Sequence, residues 1–290
     1  MRPRSITWLT ACAAVVLLTA GAMPVRAGLL YAVDGGGPNP NANLVLLDPV
    51  SGVVVTVVGP IGFVVGGMAF DPQTGILYAT TGGTGPNPGN LIKIDINTGR
   101  GSLIGNLGLR SGTLADLAFA PSGILYGWAG PAGGSALYKV NLTTGAATWV
   151  GDSGIFTRGG GLAADAQGRL FLAGSAAGAL YRVDPSTGAA TAGPTLTGAP
   201  IPSGVIKALD FDETGTLFGL NFAGADGDAF LVTIDPTTGV VTPRGDPIPR
   251  LDALAFWPTG VVLVPEPSAL LLVGTGAALL VVGRRRRLTV

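Results

Sequence analysis

The residues able to do chemistry are few in this chain, and their types exclude several kinds of site. The 290 residues contain no histidine and one cysteine, Cys12. A Ser-His-Asp triad, a zinc or haem site with histidine ligands and a disulfide framework are therefore excluded. The remaining candidates for chemistry are three carboxylates, Asp116, Asp210 and Asp252. They fall on segments that the repeat pattern described below predicts to be inner strands. Converging carboxylates could hold a catalytic metal, so a secreted hydrolase or lyase acting on polysaccharide stays open as an alternative function.

The charge of the body also limits its partners. Residues 28–264 contain ten basic and sixteen acidic residues, a net charge of −6. A nucleic-acid partner would require a basic face, so this balance argues against one. Fifteen of the sixteen acids are Asp, which favours turns, and the remaining one is Glu213.

The composition predicts a β protein rich in turns. The chain has 48 glycines and 22 prolines, residues that break helix interiors, while only 12% of its residues are charged and 47% are apolar. Low charge with high apolar content argues against a disordered chain. We therefore expect an all-β domain of short strands.

One sequence pattern recurs five times and places four short strands in each unit. Its clearest mark is a turn that begins with Asp or Asn and ends with Gly, and these turns are spaced by 47, 46, 43 and 51 residues. The five copies are Asp48–Gly52, Asp95–Gly99, Asn141–Gly145, Asp184–Gly188 and Asp235–Gly239. A period near 45 with four strands per unit is typical of a β-propeller blade, with an open β-solenoid as the alternative. The repeats resemble YVTN and NHL-like propellers in rhythm, which implies the architecture only.

The two ends of the repeat predict how the ring closes. The first copy begins at Leu29 without a first strand, and the last copy, 251–262, has a first strand and little more. The last strand can therefore complete the first blade and hide a sheet edge. We predict a five-bladed propeller over 28–263, closed by strands from both chain ends.

The two faces of the predicted disc differ. The turns that join the first to the second strand and the third to the fourth strand of each blade are short and uniform. They share one surface of the disc, the turn face, which we interpret as structural. The other connections vary in length and sequence and form the opposite surface, the variable-loop face. We expect binding there, because binding residues commonly lie on variable loops that a rigid scaffold holds. The loops of this face within blades are 34–43, 80–90, 128–135, 174–178 and 221–228.

Several residues of the variable-loop face are candidates for binding a ligand. Asn39 and Asn87 occupy the same Gly-Pro-Asn-Pro sequence in neighbouring blades, which suggests a paired amide surface for a hydroxyl-rich polymer, with a recent duplication without functional selection as the alternative. Trp128 and Phe222 follow second strands and could stack on a sugar, or else pack beneath their own loops.

Two further sets of residues could bind ions at this face. Arg158 and Arg250 each lie six residues before the end of an inner strand. We therefore expect both to lie at the rim of the propeller's central channel, as an anion or polysaccharide site. The alternative there is structural ion pairing with groups such as Lys207, Asp116 and Asp252. Weak calcium ligands would be Asn221, Asp226 and Asp228, with a solvated turn as the alternative.

The N-terminal segment has the layout of a secretory signal peptide. A basic start, Arg2 and Arg4, precedes an apolar stretch over 6–22, and Val25 and Ala27 fit the positions that signal peptidase reads. We predict cleavage after Ala27, with a second possible cut at 20–22 and a retained membrane anchor as the alternative. Cys12 would leave with the peptide.

The C-terminal segment, 264–290, has three parts in order: Pro265-Glu266-Pro267, an uncharged stretch from Ala269 to Gly283, and a basic block. The block consists of Arg284, Arg285, Arg286 and Arg287. Fifteen helical residues span about 22 Å, which is short for a permanent span of a core about 30 Å thick. The segment resembles the PEP-CTERM sorting signal of Gram-negative bacteria, with an ordinary tail anchor as the alternative.

That resemblance implies an export route. Members of the PEP-CTERM group are processed by an exosortase, an intramembrane transpeptidase, after transient anchoring in the inner membrane by a C-terminal apolar helix. The resemblance implies a location at the cell surface, outer envelope or extracellular matrix, and a role beside exopolysaccharide in a biofilm matrix. We therefore expect an exported, non-catalytic protein without a cofactor. Its expected partners are signal peptidase, an exosortase and exopolysaccharide.

Overall fold

The computed structural model confirms the all-β prediction. It describes residues 28–35, 42–82, 85, 87–109, 112–130, 134–156, 160–174, 178–198, 205–222 and 228–258, and 22 strands lie among them. In this part of the chain no helix has the length and apolar character needed to cross a membrane. The predicted signal peptide, its cleavage site at Ala27 and the predicted C-terminal helix lie outside the described residues.

The strands form five sheets, one for each blade, and the four main strands of each blade pair antiparallel. Blade 1 contains β22 (Leu251–Phe256), β1 (Leu30–Asp34), β2 (Asn43–Leu47) and β3 (Val54–Pro60). Blade 2 contains β4 (Val65–Phe70), β5 (Leu77–Thr81), β6 (Asn90–Ile94) and β7 (Gly101–Asn106). Blade 3 contains β8 (Leu114–Phe119), β9 (Leu125–Ala129), β10 (Ala136–Val140) and β11 (Ala147–Asp152).

The last two blades follow the same order from the inner strand outward. Blade 4 contains β12 (Gly161–Ala164), β13 (Leu170–Ala173), β14 (Ala179–Val183) and β15 (Ala190–Thr195). Blade 5 contains β17 (Val205–Phe211), β18 (Leu217–Phe222), β19 (Asp228–Ile234) and β20 (Val240–Pro243). Two short strands extend blade 5: β16 (Thr197–Gly198) pairs in parallel with β20, and β21 (Ile248–Pro249) pairs with β19.

The ring closes as the sequence predicts, with strands from both ends in blade 1. Strand β22 pairs antiparallel with β1, and Leu30 lies opposite Phe256. The amide of Trp257 donates to the carbonyl of Leu29 at 2.9 Å, which extends this pairing beyond the strands. Each inner strand packs against the next around the ring, and β22 lies between β17 and β4.

The repeated turns are held by their own side chains. In the blade 5 turn, the Asp235 carboxylate accepts the amide of Thr237 at 2.8 Å, and Gly239 has a φ of 77°. These hydrogen bonds, first of all the one from the Thr237 hydroxyl, lower the pKa of Asp235 to about 2. The same bond to the residue two positions on forms at Asp48, Asp95, Asn141 and Asp184. This shared geometry explains why each repeated turn begins with Asp or Asn and ends with Gly.

The hydrophobic core lies between the blades, because each sheet buries both faces against its neighbours. Between blades 1 and 2, Phe70 makes edge-on contacts with Tyr31 at 5.3 Å and Trp257 at 5.2 Å between ring centroids. Offset and edge-to-face aromatic pairs of this kind add about 0.5–1.5 kcal/mol beyond the area that they bury. Through Tyr31 and Trp257, these contacts pack blade 2 against the paired strands β1 and β22 from the two chain ends.

Small residues at one level of the inner strands permit the strands to approach closely. A Cβ atom on Gly67 would overlap the Cα of Asp116, and one on Gly161 would lie 2.5 Å from the carbonyl carbon of Ala208. The five residues at this level are Gly67, Asp116, Gly161, Ala208 and Ala253. Four of them are Gly or Ala, and the exception is the buried acid described next.

Candidate functional site

Asp116 is fully buried and joins three inner strands. Its Oδ2 accepts the amide of Leu162 at 2.9 Å and the amide of Leu209 at 3.2 Å, and its Oδ1 accepts the amide of Leu117 at 2.9 Å. Burial raises the pKa of Asp116 well above its usual value, while these donors act in the opposite direction. The backbone amides of Leu162 and Leu209 lie on the inner edges of β12 and β17, where no described strand of the sheet pairs with them. Asp116 supplies the hydrogen-bond acceptor that these amides need.

Asp210 performs a similar task between blades 5 and 1. Its Oδ2 accepts the amide of Phe256 at 2.8 Å, and its Oδ1 accepts the amide of Phe211 at 2.9 Å. Burial raises the pKa of Asp210 to about 7, and Asp212 nearby adds to the rise. The four residues at the same level of the other inner strands are alanines: Ala69, Ala118, Ala163 and Ala255.

Asp252, the third predicted acid, forms an ion pair. The ammonium of Lys207 lies 3.2 Å from Oδ1 of Asp252 and 3.6 Å from the centroid of the Phe222 ring. The alternative of structural ion pairing, foreseen for Lys207 and Asp252, is therefore the arrangement observed. One face of the Phe222 ring is covered by this ammonium, and stacking of a sugar on this ring stays a prediction.

Trp128 is not the exposed stacking platform that its position after a second strand suggested. It is fully buried and packs in the cluster between blades 3 and 4 with Leu162 and Leu172. The physical reason is that β9 is buried along its whole length, so the ring turns into the interface between blades. Among the described residues its Nε1 has no hydrogen-bond partner.

Asn87 and Arg250 are exposed, as a ligand face requires. Both take a left-handed backbone conformation, with φ of 58° at Asn87 and 59° at Arg250. The carbonyl of Asn87 accepts a hydrogen bond from Nδ2 of Asn90 at 2.8 Å, which holds the loop between the end of β5 and the start of β6. Asn39 and Arg158 lie outside the described residues, so the paired amide surface and the arginine rim stay predictions.

The weak calcium candidates do not form a site in the described part of the chain. Asn221 is fully buried, and its Nδ2 donates to the carbonyl of Val205 at 3.3 Å, while its Oδ1 has no partner there. Asp228 is half-buried at the start of β19, and Asp226 lies outside the described residues. No group of three or more acidic side chains close enough to hold a metal ion occurs among the residues described.

A cavity of about 290 Å³ lies at the channel mouth on the turn face, which the sequence indicated to be purely structural. The last residues of all five inner strands line it: Phe70, Phe119, Ala164, Phe211 and Phe256. Trp257 and Pro258 line it as well, so the cavity lies where the chain leaves the last strand. The sequence signal that could have revealed this cavity is Ala164, which stands where the other four inner strands end in phenylalanine.

Comparison with solved structures supports the fold alone, because every identity is low. A chain of the nidogen/laminin complex matches with a TM-score of 0.52 and 13% identity, covering 79% of this chain and 97% of that one. A structural-genomics protein of unknown function from Bacteroides thetaiotaomicron matches with a TM-score of 0.53 and 14% identity, covering 82% and 66%. A symmetrical protein from work on de novo evolutionary emergence matches with a TM-score of 0.51 and 19% identity, covering 80% and 99%.

Two parts of the chain match known sequence families. A comparison with curated proteins gives no match. Residues 263–287 match the PEP-CTERM protein-sorting motif, which confirms the predicted sorting signal and indicates exosortase processing and sorting to the surface or exterior of a Gram-negative bacterium. Residues 52–204 match a family described as a repeat of unknown function (DUF6923), which covers more than half of the chain. The chain thus belongs to the DUF6923 repeat family, as an exported five-bladed propeller with a PEP-CTERM sorting motif.

Proposed function

We propose that this protein is a non-catalytic component of the cell surface or extracellular matrix that binds exopolysaccharide through its variable-loop face. The observation that carries the proposal is the position of the chain ends. Strand β1 begins and strand β22 ends on the turn face, where Leu30 lies opposite Phe256. The strand ends that the variable loops connect lie at the other end of the same strands, and the first and last described residues, Gly28 and Pro258, lie at the turn face.

This placement limits how far the turn face can lie from the membrane in the anchored precursor. Ten residues, 259–268, separate Pro258 from the apolar stretch that begins at Ala269. Ten extended residues span at most about 35 Å, so the turn face stays near the membrane while the tail is inserted. The variable-loop face lies at the opposite end of the strands from Pro258, so the attachment point of the tail does not cover it, and after export this face can contact a polymer.

The chemistry of the channel favours a non-catalytic role. Asp116 and Asp210 each receive backbone amides from neighbouring blades, and Asp252 is paired with Lys207. A carboxylate that holds inner strands together serves the fold, and moving it for catalysis would leave buried amides without an acceptor.

Retention on purified exopolysaccharide from the producing bacterium tests the proposal. We expect the double variant Asn39→Ala, Asn87→Ala to lose roughly tenfold in retention, since each amide contact contributes about 0.5–1.5 kcal/mol. The matched control is Gln73→Ala, an exposed amide in a turn of the opposite face. Each variant is compared with and without calcium, because the loop 221–228 contains the candidate calcium ligands.

Two results would contradict the proposal. Equal retention of the double variant and the control would place the binding site elsewhere. Release of shorter polysaccharide chains by the protein, lost in Asp252→Ala, would support the hydrolase or lyase alternative instead.

A further inference from the structure

The cavity on the turn face exists because one blade departs from the pattern of the others. Four inner strands end in phenylalanine, and β12 ends in Ala164. The missing ring leaves space beside Phe119 and Phe211, the rings of the adjoining blades. Binding sites for small ligands are concave and mainly apolar, with few polar groups, and this cavity meets that description at the lower end of the usual size range.

The charges around the cavity have a single sign. Its lining includes four acidic residues, Asp165, Asp210, Asp212 and Glu213, and neither a lysine nor an arginine. Asp165 is paired with Arg169 beside the cavity. The other three acids form no ion pair with any described residue. An aromatic cavity with this excess of carboxylates is electrostatically complementary to a cation.

We propose that this cavity binds a small organic cation, an alkylammonium group, between the phenylalanine rings and the acidic rim. Aromatic side chains attract ammonium groups, and the attraction is greatest where the group is shielded from water. Carboxylates at the rim supply the opposite charge. A neutral sugar could donate hydroxyl hydrogen bonds to these carboxylates, but it would leave their excess negative charge uncompensated.

The probe is choline, titrated into the purified full-length chain by calorimetry or by chemical-shift changes. The matched control ligand is 3,3-dimethyl-1-butanol, which has the same shape without the charge. We expect choline to bind at least tenfold more tightly than this alcohol. Burial raises the pKa of Asp210 to about 7, so the titrations are done at pH 8, where this carboxyl is ionised.

Two variants separate the cavity from other acidic parts of the surface. Ala164→Phe restores the missing ring and is expected to weaken choline binding at least tenfold without lowering the melting temperature. Glu213→Gln removes one exposed rim charge and is expected to weaken binding two- to fivefold. Its control is Asp246→Asn, the same loss of charge at an exposed residue that does not line the cavity, which should change binding by less than twofold.

The proposal is overturned if choline and the alcohol bind equally, if choline fails to bind, or if glucose binds more tightly than choline. It is also overturned if Glu213→Gln and Asp246→Asn weaken binding to the same extent. The Glu213 comparison remains decisive if Ala164→Phe does not fold. None of these results depends on whether exopolysaccharide binds to the variable-loop face.

Discussion

The inner and outer strands of this propeller are built by opposite rules. Inner strands carry Gly, Ala and buried carboxylates, and β22 is buried at five of its six positions. The outer strand β3 is largely exposed, with Val55 at 66% and Val57 at 58% exposure, and has no charge along its length. The difference indicates that fit is required near the axis, whereas the rim tolerates change, and the predictions below test this contrast.

Removal of the closing strand should have the largest effect. Deleting residues 251–256 uncovers Leu30 and Tyr31, which are fully buried against β22. Burial of each side chain contributes about 1.5–3 kcal/mol, against a total stability of about 5–15 kcal/mol. We expect aggregation or unfolding, measured by soluble yield and thermal melting. Val55→Thr in β3 is the control, and a soluble deletion protein with unchanged melting would contradict closure by β22.

Asp116→Ala should cause the next largest loss. It removes the acceptor of two buried amides from other blades, those of Leu162 and Leu209. Each unsatisfied buried amide costs about 1–3 kcal/mol, so we expect the free energy of unfolding to fall by roughly 2–5 kcal/mol. Asp116→Asn keeps one oxygen in place and should lose less. Equal losses in chemical denaturation would show that the acceptor is not what stabilises the ring.

A methyl group added near the axis should be more harmful than one added near the rim. In Gly67→Ala the new Cβ meets the backbone of Asp116, which cannot move without shifting an inner strand. In Gly101→Ala, on the outer strand β7, it first meets the half-buried ring of Phe63. Overpacking typically costs about 1–3 kcal/mol, and we expect the larger value at Gly67. Similar denaturation midpoints for the two variants would remove the distinction between axis and rim.

The smallest predicted effect is a dependence of stability on pH. The pKa of Asp210 is about 7 in the folded protein, against about 3.9 in an unfolded chain. Between these values the folded state holds a proton that the unfolded state releases, so the free energy of unfolding should fall as pH rises from 4 to 7. Asp116, whose pKa is also raised, acts in the same direction.

Asp210→Ala, which installs the residue found at this level in the other four blades, should reduce that slope. Denaturation at pH 4.5 and 7.5 measures it. The turn acids with lowered pKa, such as Asp235 at about 2, act only below pH 4, where stability falls with falling pH. An unchanged slope in Asp210→Ala would assign the dependence to other groups.

Local patterns in the sequence were sufficient for most of the fold. The Asp-to-Gly turns depend on contacts between residues two to four apart, so their spacing predicted five blades. The missing first strand at Leu29 and the surplus strand at 251–256 predicted closure, because only a shared blade satisfies both edges. The sorting motif at 263–287 was recognisable because it is a contiguous signal.

Trp128 shows why the candidate site was harder to predict. A strand at a sheet surface alternates between buried and exposed residues, but β9 lies between two neighbouring blades and is buried on both faces. Its sequence therefore contains no sign of which face the ring occupies. The same ambiguity affected Phe222, whose ring is covered by a lysine from the inner strand of its own blade.

The sequence by itself determined the repeat, the number of blades, the closure and the export route, since each depends on local order or on a contiguous motif. Only the tertiary structure decided which acids join strands and where a cavity forms. Asp116 and Leu209 are 93 residues apart, and the cavity requires the ends of five inner strands to meet. Ala164 differs from its four counterparts in one side chain, and that difference has a consequence only when the ring brings them together.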